Sequence, residues 1–372
     1  MKKDNIIRKP LLTTIVVILV TAAILYIEAN TPVISASNLS VRNTSPDKSS
    51  YQMAPDFVGI DKWINSEPLK IEKLRGKVVL VDFWTYTCIN CIRTFPYLKE
   101  WDRKYRDKGL VIVGIHTPEF DFEKKYENVL NAVNEYQLKY PVGQDNEYAT
   151  WSIYQNRYWP HEYLIDIDGY IRHDQIGEGN YDETEKIIQS LLNERMERQN
   201  EQSVIGQGIS NPKEAVNVDV NNVGTPEIYF GYQFTRGNFG NQEGLKQGQA
   251  VNYKLPSSIS PNNVYLGGLW KNNADNMELA GDEGKIILIF HSKSINIVAG
   301  SENGSQAFVF LDHTILNGKN KGLDVNLEEN KSISNIQDFK LYNLAVADRY
   351  GEHVIIIDVA GKGFKIYTFT FG

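Results

Sequence analysis

The chain has 372 residues, 42% of them hydrophobic and 23% charged, a balance that excludes disordered and low-complexity classes and is long enough for two cores. Its net charge of −7, from 39 Lys and Arg against 46 Asp and Glu, offers no electrostatic footprint for gripping nucleic acid. A mean hydropathy of −0.37 excludes a polytopic membrane protein, and the only cysteines, Cys88 and Cys91, leave redox chemistry a single pair to run through.

Lys2, Lys3, Arg8 and Lys9 precede an uncharged run from Leu11 to Ile27. At about 1.5 Å per residue the run covers about 25 Å, near the lower limit for crossing a bilayer and longer than the apolar part of a cleavable signal. The expectation is a single N-terminal transmembrane helix within residues 1–28, with cleavage after Ala36 as the competing reading. In both, the basic cluster stays cytoplasmic and the rest of the chain lies in the periplasm or outside the cell. Residues 29–50, rich in Ser, Asn, Thr and Pro, form a tether.

A first folded unit is expected over 51–197. Val78–Trp84 and Val111–Ile115 are β-branched apolar runs suited to central strands. Between them, Cys91–Lys108 has helical spacing through Ile92, Phe95, Leu98, Trp101 and Tyr105. Phe122–Tyr136 is a second helix, Tyr163–Ile167 and Tyr170–Ile176 are strands joined at Asp168-Gly169, and Tyr181–Glu197 is a closing amphipathic helix. Alternating strands and helices with a terminal hairpin describe an α/β sandwich. Residues 198–224 read as an Asn/Gln/Gly-rich linker. From 225 to 372 the pattern changes to short runs such as Lys285–Phe290, Ile295–Val298 and His353–Val359 between turns, which predicts an all-β sandwich of jelly-roll type.

Cys88-Ile-Asn-Cys91 lies where the strand 78–84 gives way to a helix. Free backbone N–H groups and the positive end of the helix dipole at such a junction stabilise a thiolate on the first cysteine. Cys88 is then the attacking nucleophile, and Cys91, one turn further in, closes on it once a mixed disulfide has formed. The redox-active disulfide Cys88–Cys91 serves in place of a cofactor. A structural bridge over so small a loop would remove little chain entropy, and no other cysteine completes a zinc site, so no resident metal is expected.

Val81-Asp-Phe-Trp-Thr-Tyr-Thr-Cys-Ile-Asn-Cys91 resembles the active-site segment of thioredoxin-fold proteins, with Asp82 six residues before Cys88 and Pro96 five after Cys91. Tyr158-Trp-Pro-His-Glu-Tyr-Leu-Ile-Asp-Ile-Asp-Gly169 is similar to the cis-proline strand of that fold. The insert at 117–150, His116-Thr-Pro-Glu-Phe120 and the terminal Phe369-Thr-Phe-Gly372 most resemble the TlpA/DipZ-like thiol-disulfide oxidoreductases. The resemblance implies a thioredoxin-like fold carrying a carbohydrate-binding-like β-sandwich, and protein thiols or disulfides as substrates. It implies that Asp82, buried behind the cysteines, takes the proton of Cys91. Trp159 and a cis Pro160 would present backbone to a substrate strand beside Cys88. His116, Glu119 and His161 are candidate modulators of the thiols, against an ordinary solvated role.

The sequence departs from these relatives in two places. One hydrophobic segment stands where DipZ-type chains carry a polytopic domain, so electrons would come from a separate CcdA-like membrane protein. Thr94 stands where some TlpA-like reductases place a second acidic residue. The dipeptide Ile89-Asn90 does not fix the direction of exchange; reduction of substrate disulfides is the expectation. In the β-module, Tyr229, Tyr232, Tyr265 and Trp270 could offer flat faces to a glycan, against a passive spacer or a partner-docking surface. Three other readings remain open. Thr85-Tyr-Thr-Cys88 fits a thiol peroxidase pattern, Cys88 and Cys91 with His161 would suit Cu(I), and the β-module alone could act as an envelope adhesin.

Overall fold

The computed structural model describes residues 48–202 and 205–372. The predicted anchor lies outside the described residues, as does nearly all of the tether. Among the described residues no helix is long and apolar enough to cross a membrane.

The α/β domain is built on β2 (Val78–Trp84), whose seven residues are all buried. Such a strand needs cover on both faces, and the sequence supplies it. The six-stranded sheet runs β1 (Lys62–Ile64), β4 (Val142–Gln144), β3 (Leu110–His116), β2, β5 (His161–Ile165), β6 (Ile171–Ile176). β2, β3 and β4 are parallel, while β1, β5 and β6 attach antiparallel to their neighbours. Leu80, Trp84 and Leu164 point into one core with Cys91, Phe95, Leu98 and Trp101 of α1 (Ile89–Tyr105) and with Ile188 and Leu192 of α4 (Tyr181–Arg198). Val79, Val81, Phe83, Tyr163 and Ile165 point into the opposite layer.

The expected second helix begins later than its apolar period suggests. Residues 121–124 form a 3-10 turn, Lys125 is extended, and α2 spans Tyr126–Glu135. A short helix, α3 (Ala149–Ile153), precedes β5. The segment 198–224 is no free linker. Ile205 is buried, and Ser210 donates from its N–H and hydroxyl to Glu185 of α4, at 2.6 and 2.8 Å.

The β-domain differs from the expected set of short strands. Lys285–Phe290 and Ile295–Val298 belong to one strand, β10 (Met277–Gly300), and His353–Val359 to another, β15 (Lys340–Ala360). Register shifts near Ser292–Ser294 and Ile295–Asn296 explain the misreading: a bulge interrupts the apolar alternation and bends a strand without ending its ladder. With β7 (Ile228–Tyr229), β8 (Ala250–Tyr253), β9 (Val264–Asn272), β11 (Ser305–Leu311), β12 (Thr314–Ile315), β13 (Asn326–Glu328), β14 (Lys331–Ile336) and β16 (Lys365–Phe371), they form one connected ten-stranded sheet with antiparallel ladders around a single core. The predicted sugar-stacking faces are mostly buried. Trp270 packs edge-on to Phe364 with centroids 6.1 Å apart, Tyr229 and Tyr265 are buried, and only Tyr232 is exposed.

The two domains share an aromatic seam. Phe120 and Phe122, on the loop after β3, pack on Tyr367 at 5.1 and 4.7 Å, with Phe234 and Phe339 completing the contact. Tyr229, Val298 and Tyr367 of the β-domain fall in the same buried cluster as Cys91. Phe122→Ala should cost about 3 kcal/mol of unfolding free energy. Because it opens the joint between two separate cores, calorimetry should also resolve two transitions where the parent shows one.

Candidate active site

Cys88 is the N-cap of α1, with extended backbone, and its Sγ accepts the Cys91 backbone N–H at 3.4 Å. Strand β2 ends at Trp84, so the chain must turn within Thr85–Thr87 before the helix starts, which leaves the Cys91 N–H, unpaired within the first turn, to the capping sulfur. Cys88 is half-buried, Cys91 fully buried, and both are free thiols. Burial, followed by the nearby Cys88 and Asp82, pushes the Cys91 thiol well above its ordinary pKa. It stays protonated until a base removes the proton.

Asp82 sits on β2 with its side chain on the Cys91 face of the sheet. It is 1% exposed, its Oδ1 has no hydrogen-bond partner among the described residues, and burial pushes its pKa from 3.8 to about 8. Directly opposite on β5 is Glu162, also buried and also raised, first by burial and then by Asp82. Directly opposed residues in an antiparallel pair have Cβ atoms about 5 Å apart, so two carboxyl groups share one dry layer under the cysteines. The sequence reading missed Glu162. Its position two residues after Pro160, on a strand whose alternation sends it to the Asp82 face, is the signal that could have found it.

The residues around Cys88 are fixed from the loop after β3. Thr87 donates to Glu123 Oε1 at 2.5 Å, and the Glu119 and Phe120 backbone N–H groups donate to Glu123 Oε2 at 2.5 and 2.9 Å. Glu123 is fully buried and was likewise missed. The Trp159–Pro160 bond is cis, the Trp159 carbonyl lies 3.8 Å from Cys88 Sγ, and the Trp159 indole donates to Thr117 O at 3.1 Å.

The three candidate modulators separate. Glu119 lines the same pocket as Cys88; burial first, then Glu123 and Glu227, pushes its pKa to about 8. His116 is not solvated at a strand end. It is completely buried, edge-on to Trp84 and stacked on Tyr86, with burial lowering its pKa to about 3, so it is a neutral packing residue. His161 points to the opposite layer from Cys91, held by Asn156 at 2.7 Å, Asp174 at 3.0 Å and the Tyr163 hydroxyl at 3.0 Å. The structure does not bring it to the cysteines, which removes the third ligand of the copper reading. Thr85 faces His116 at 3.4 Å rather than the Cys88 sulfur, so the peroxidase pattern is not assembled.

Cys88 opens on a pocket of about 200 Å³ between the domains, lined by Thr87, Glu119 and Trp159 from one and by Glu227, Tyr229 and Arg236 from the other. Arg93 of α1 ties the two together beside it, donating to Glu178 at 2.9 Å and to the Phe371 carbonyl at 3.2 Å.

Comparisons with known proteins place the chain among thiol-disulfide oxidoreductases. Residues 76–171 match a family model described as thioredoxin-like, and residues 225–372 match one described as a thioredoxin-like C-terminal domain. Protein DipZ of Mycobacterium tuberculosis is 37% identical over 276 residues, covering 72% of this chain and 38% of DipZ. The chain thus matches well under half the length of that relative. The thiol-disulfide oxidoreductase ResA of Bacillus thuringiensis is 32% identical over 148 residues, 39% of this chain and 82% of ResA. The thiol-disulfide oxidoreductase YkuV of Bacillus subtilis is 27% identical over 143 residues, 38% of this chain and 96% of YkuV.

The raised pKa of Asp82 has a consequence for stability. Between about pH 4 and about pH 8 the folded chain keeps a proton that the unfolded chain has released, so this group makes stability fall as pH rises through that window. Below it both states are protonated. Asp82→Asn should therefore melt higher than the parent at pH 8, with the difference shrinking toward zero near pH 4 in thermal denaturation across that range.

Proposed function

Since the chain belongs to the thioredoxin-like thiol-disulfide oxidoreductases, we propose that it is a membrane-anchored enzyme that reduces disulfides outside the cytoplasm through Cys88 and Cys91. The observation that carries this reading is the Cys91 N–H on the Cys88 sulfur, with the Cys91 thiol buried one turn behind it on the same side of the sheet as the buried carboxyl of Asp82. Cys88 thiolate attacks one sulfur of the substrate disulfide, the S–S bond breaks, and one substrate thiol leaves. Asp82, once its own proton has passed to water, takes the Cys91 proton, the Cys91 sulfur attacks Cys88 Sγ as the mixed S–S bond breaks, and the second substrate sulfur departs with the proton Asp82 took up, leaving the Cys88–Cys91 disulfide. Two electrons have passed to the substrate, and a dithiol donor of the CcdA-like membrane class restores the pair. The basic and apolar N-terminus supports the anchor and the extracytoplasmic placement. Burial of Tyr229, Tyr265 and Trp270 speaks against stacking of a glycan on those rings.

Trapping in cells tests the reading. Cys91→Ala should accumulate mixed disulfides on Cys88 that reducing agent releases, and Cys88→Ala should accumulate none; an empty trap in the first variant at full expression would refute the exchange. In stopped-flow oxidation of the reduced protein, Asp82→Asn should slow the resolving step by about 10²-fold at pH 8 and flatten its rise with pH.

A further inference from the structure

The pocket at Cys88 holds ionisable groups that disulfide exchange itself does not use. Its outer wall comes from the β-domain. The Tyr229 hydroxyl donates to Glu227 Oε2 at 2.8 Å, the Arg236 guanidinium stands 4.7 Å from the Tyr229 ring centroid, and Glu119 approaches the same hydroxyl from the α/β side. Arg236 is exposed at the rim, whereas Glu227 is partly covered. The wall is held in place by the aromatic seam that packs Phe120 against Tyr229 and Tyr367.

Size and charge together restrict what can reach the sulfur. A volume of about 200 Å³ lies below the roughly 300 Å³ at which clefts for drug-sized ligands begin and suits an amino-acid-sized group. Carboxyl groups and a guanidinium within one small pocket match a group that carries both an ammonium and a carboxylate.

We propose that Glu227 and Arg236 form a recognition subsite for a small zwitterionic disulfide, its ammonium on Glu227 and its carboxylate on Arg236, which places its sulfur at Cys88. The inference rests on the exchange reaction proposed above. Burial raises the pKa of both Glu119 and Glu227, and an arriving ammonium offsets that cost by stabilising the ionised carboxylate. The covalent steps are those already given: Cys88 sulfur bonds to one substrate sulfur as the S–S bond breaks, one amino-acid thiol leaves, and Cys91 expels the second. The protein dithiol is oxidised by two electrons and the disulfide reduced to two thiols.

The test follows oxidation of the reduced full-length protein by three probes: cystine, cystamine, which has the ammonium but no carboxylate, and neutral 2-hydroxyethyl disulfide. Cystine should react at least about tenfold faster than the neutral probe. Glu227→Gln should lower the rate ratio of cystamine to the neutral probe, and Arg236→Ala the ratio of cystine to cystamine, each by about tenfold. Equal rates for the three probes, or ratios untouched by both variants, would overturn the subsite while leaving the exchange reaction standing. Failure of every disulfide to oxidise the protein would overturn the exchange reading, and this proposal with it.

Discussion

The backbone N–H of Cys91 meets the sulfur of Cys88 because Cys88 is the residue at which a fully buried strand has stopped and a helix has just begun. That place gives the sulfur an otherwise unpaired N–H together with the positive end of a helix dipole. The rest of the arrangement follows from that cap. One turn along, the helix must bury its inner face, so Cys91 enters the core and its thiol stays neutral. The residue of β2 beneath it is Asp82, and the apolar layer that stabilises the domain is the same layer that keeps this carboxyl protonated.

The β-domain is part of this site rather than an appendage. Phe120 and Phe122 sit on the loop that follows β3, next to the Glu123 carboxylate that fixes Thr87, and they bury themselves against Tyr229, Phe339 and Tyr367. The loop is thereby held from both sides: its backbone by Glu123, its side chains by the β-domain. Aromatic contacts of this kind contribute both area and geometry, which is why a pocket wall supplied by Tyr229 can stand opposite Cys88 with a defined shape.

Much of this was legible in the chain. The strand 78–84 and the helix beginning near Cys91 are strong periodic segments, and the cysteine spacing at their junction is what points to the exchange chemistry proposed for it. What was hidden depends on contacts distant in sequence. Thr87 and Glu123 are 36 residues apart, and nothing local marks Glu123 as buried. His116 looked like an exposed residue at a strand end, yet Trp84 and Tyr86 close over it. In the β-domain, alternation broken at Ser292–Ser294 looked like a turn because a bulge and a loop disturb the pattern alike. Aromatic residues on strands did not announce whether they stack on ligand or core, and Trp270 and Tyr265 proved to be core.

Thr94 shows how a local reading can misplace a charge. Its hydroxyl donates to Asn90 O at 3.0 Å within α1, so the helix contributes no second acid to the site. The second acid comes instead from across the sheet, where Glu162 faces Asp82 on the neighbouring strand. Glu162 shares a dry layer with Asp82, and two like charges so close in low dielectric cannot both form. The pair therefore holds at least one proton whenever the site is closed to water, and the group that gives up its proton to accept that of Cys91 does so against a neighbour that stays neutral. In the proposed exchange, proton transfer beneath the cysteines thus depends on two strands rather than on one aspartate.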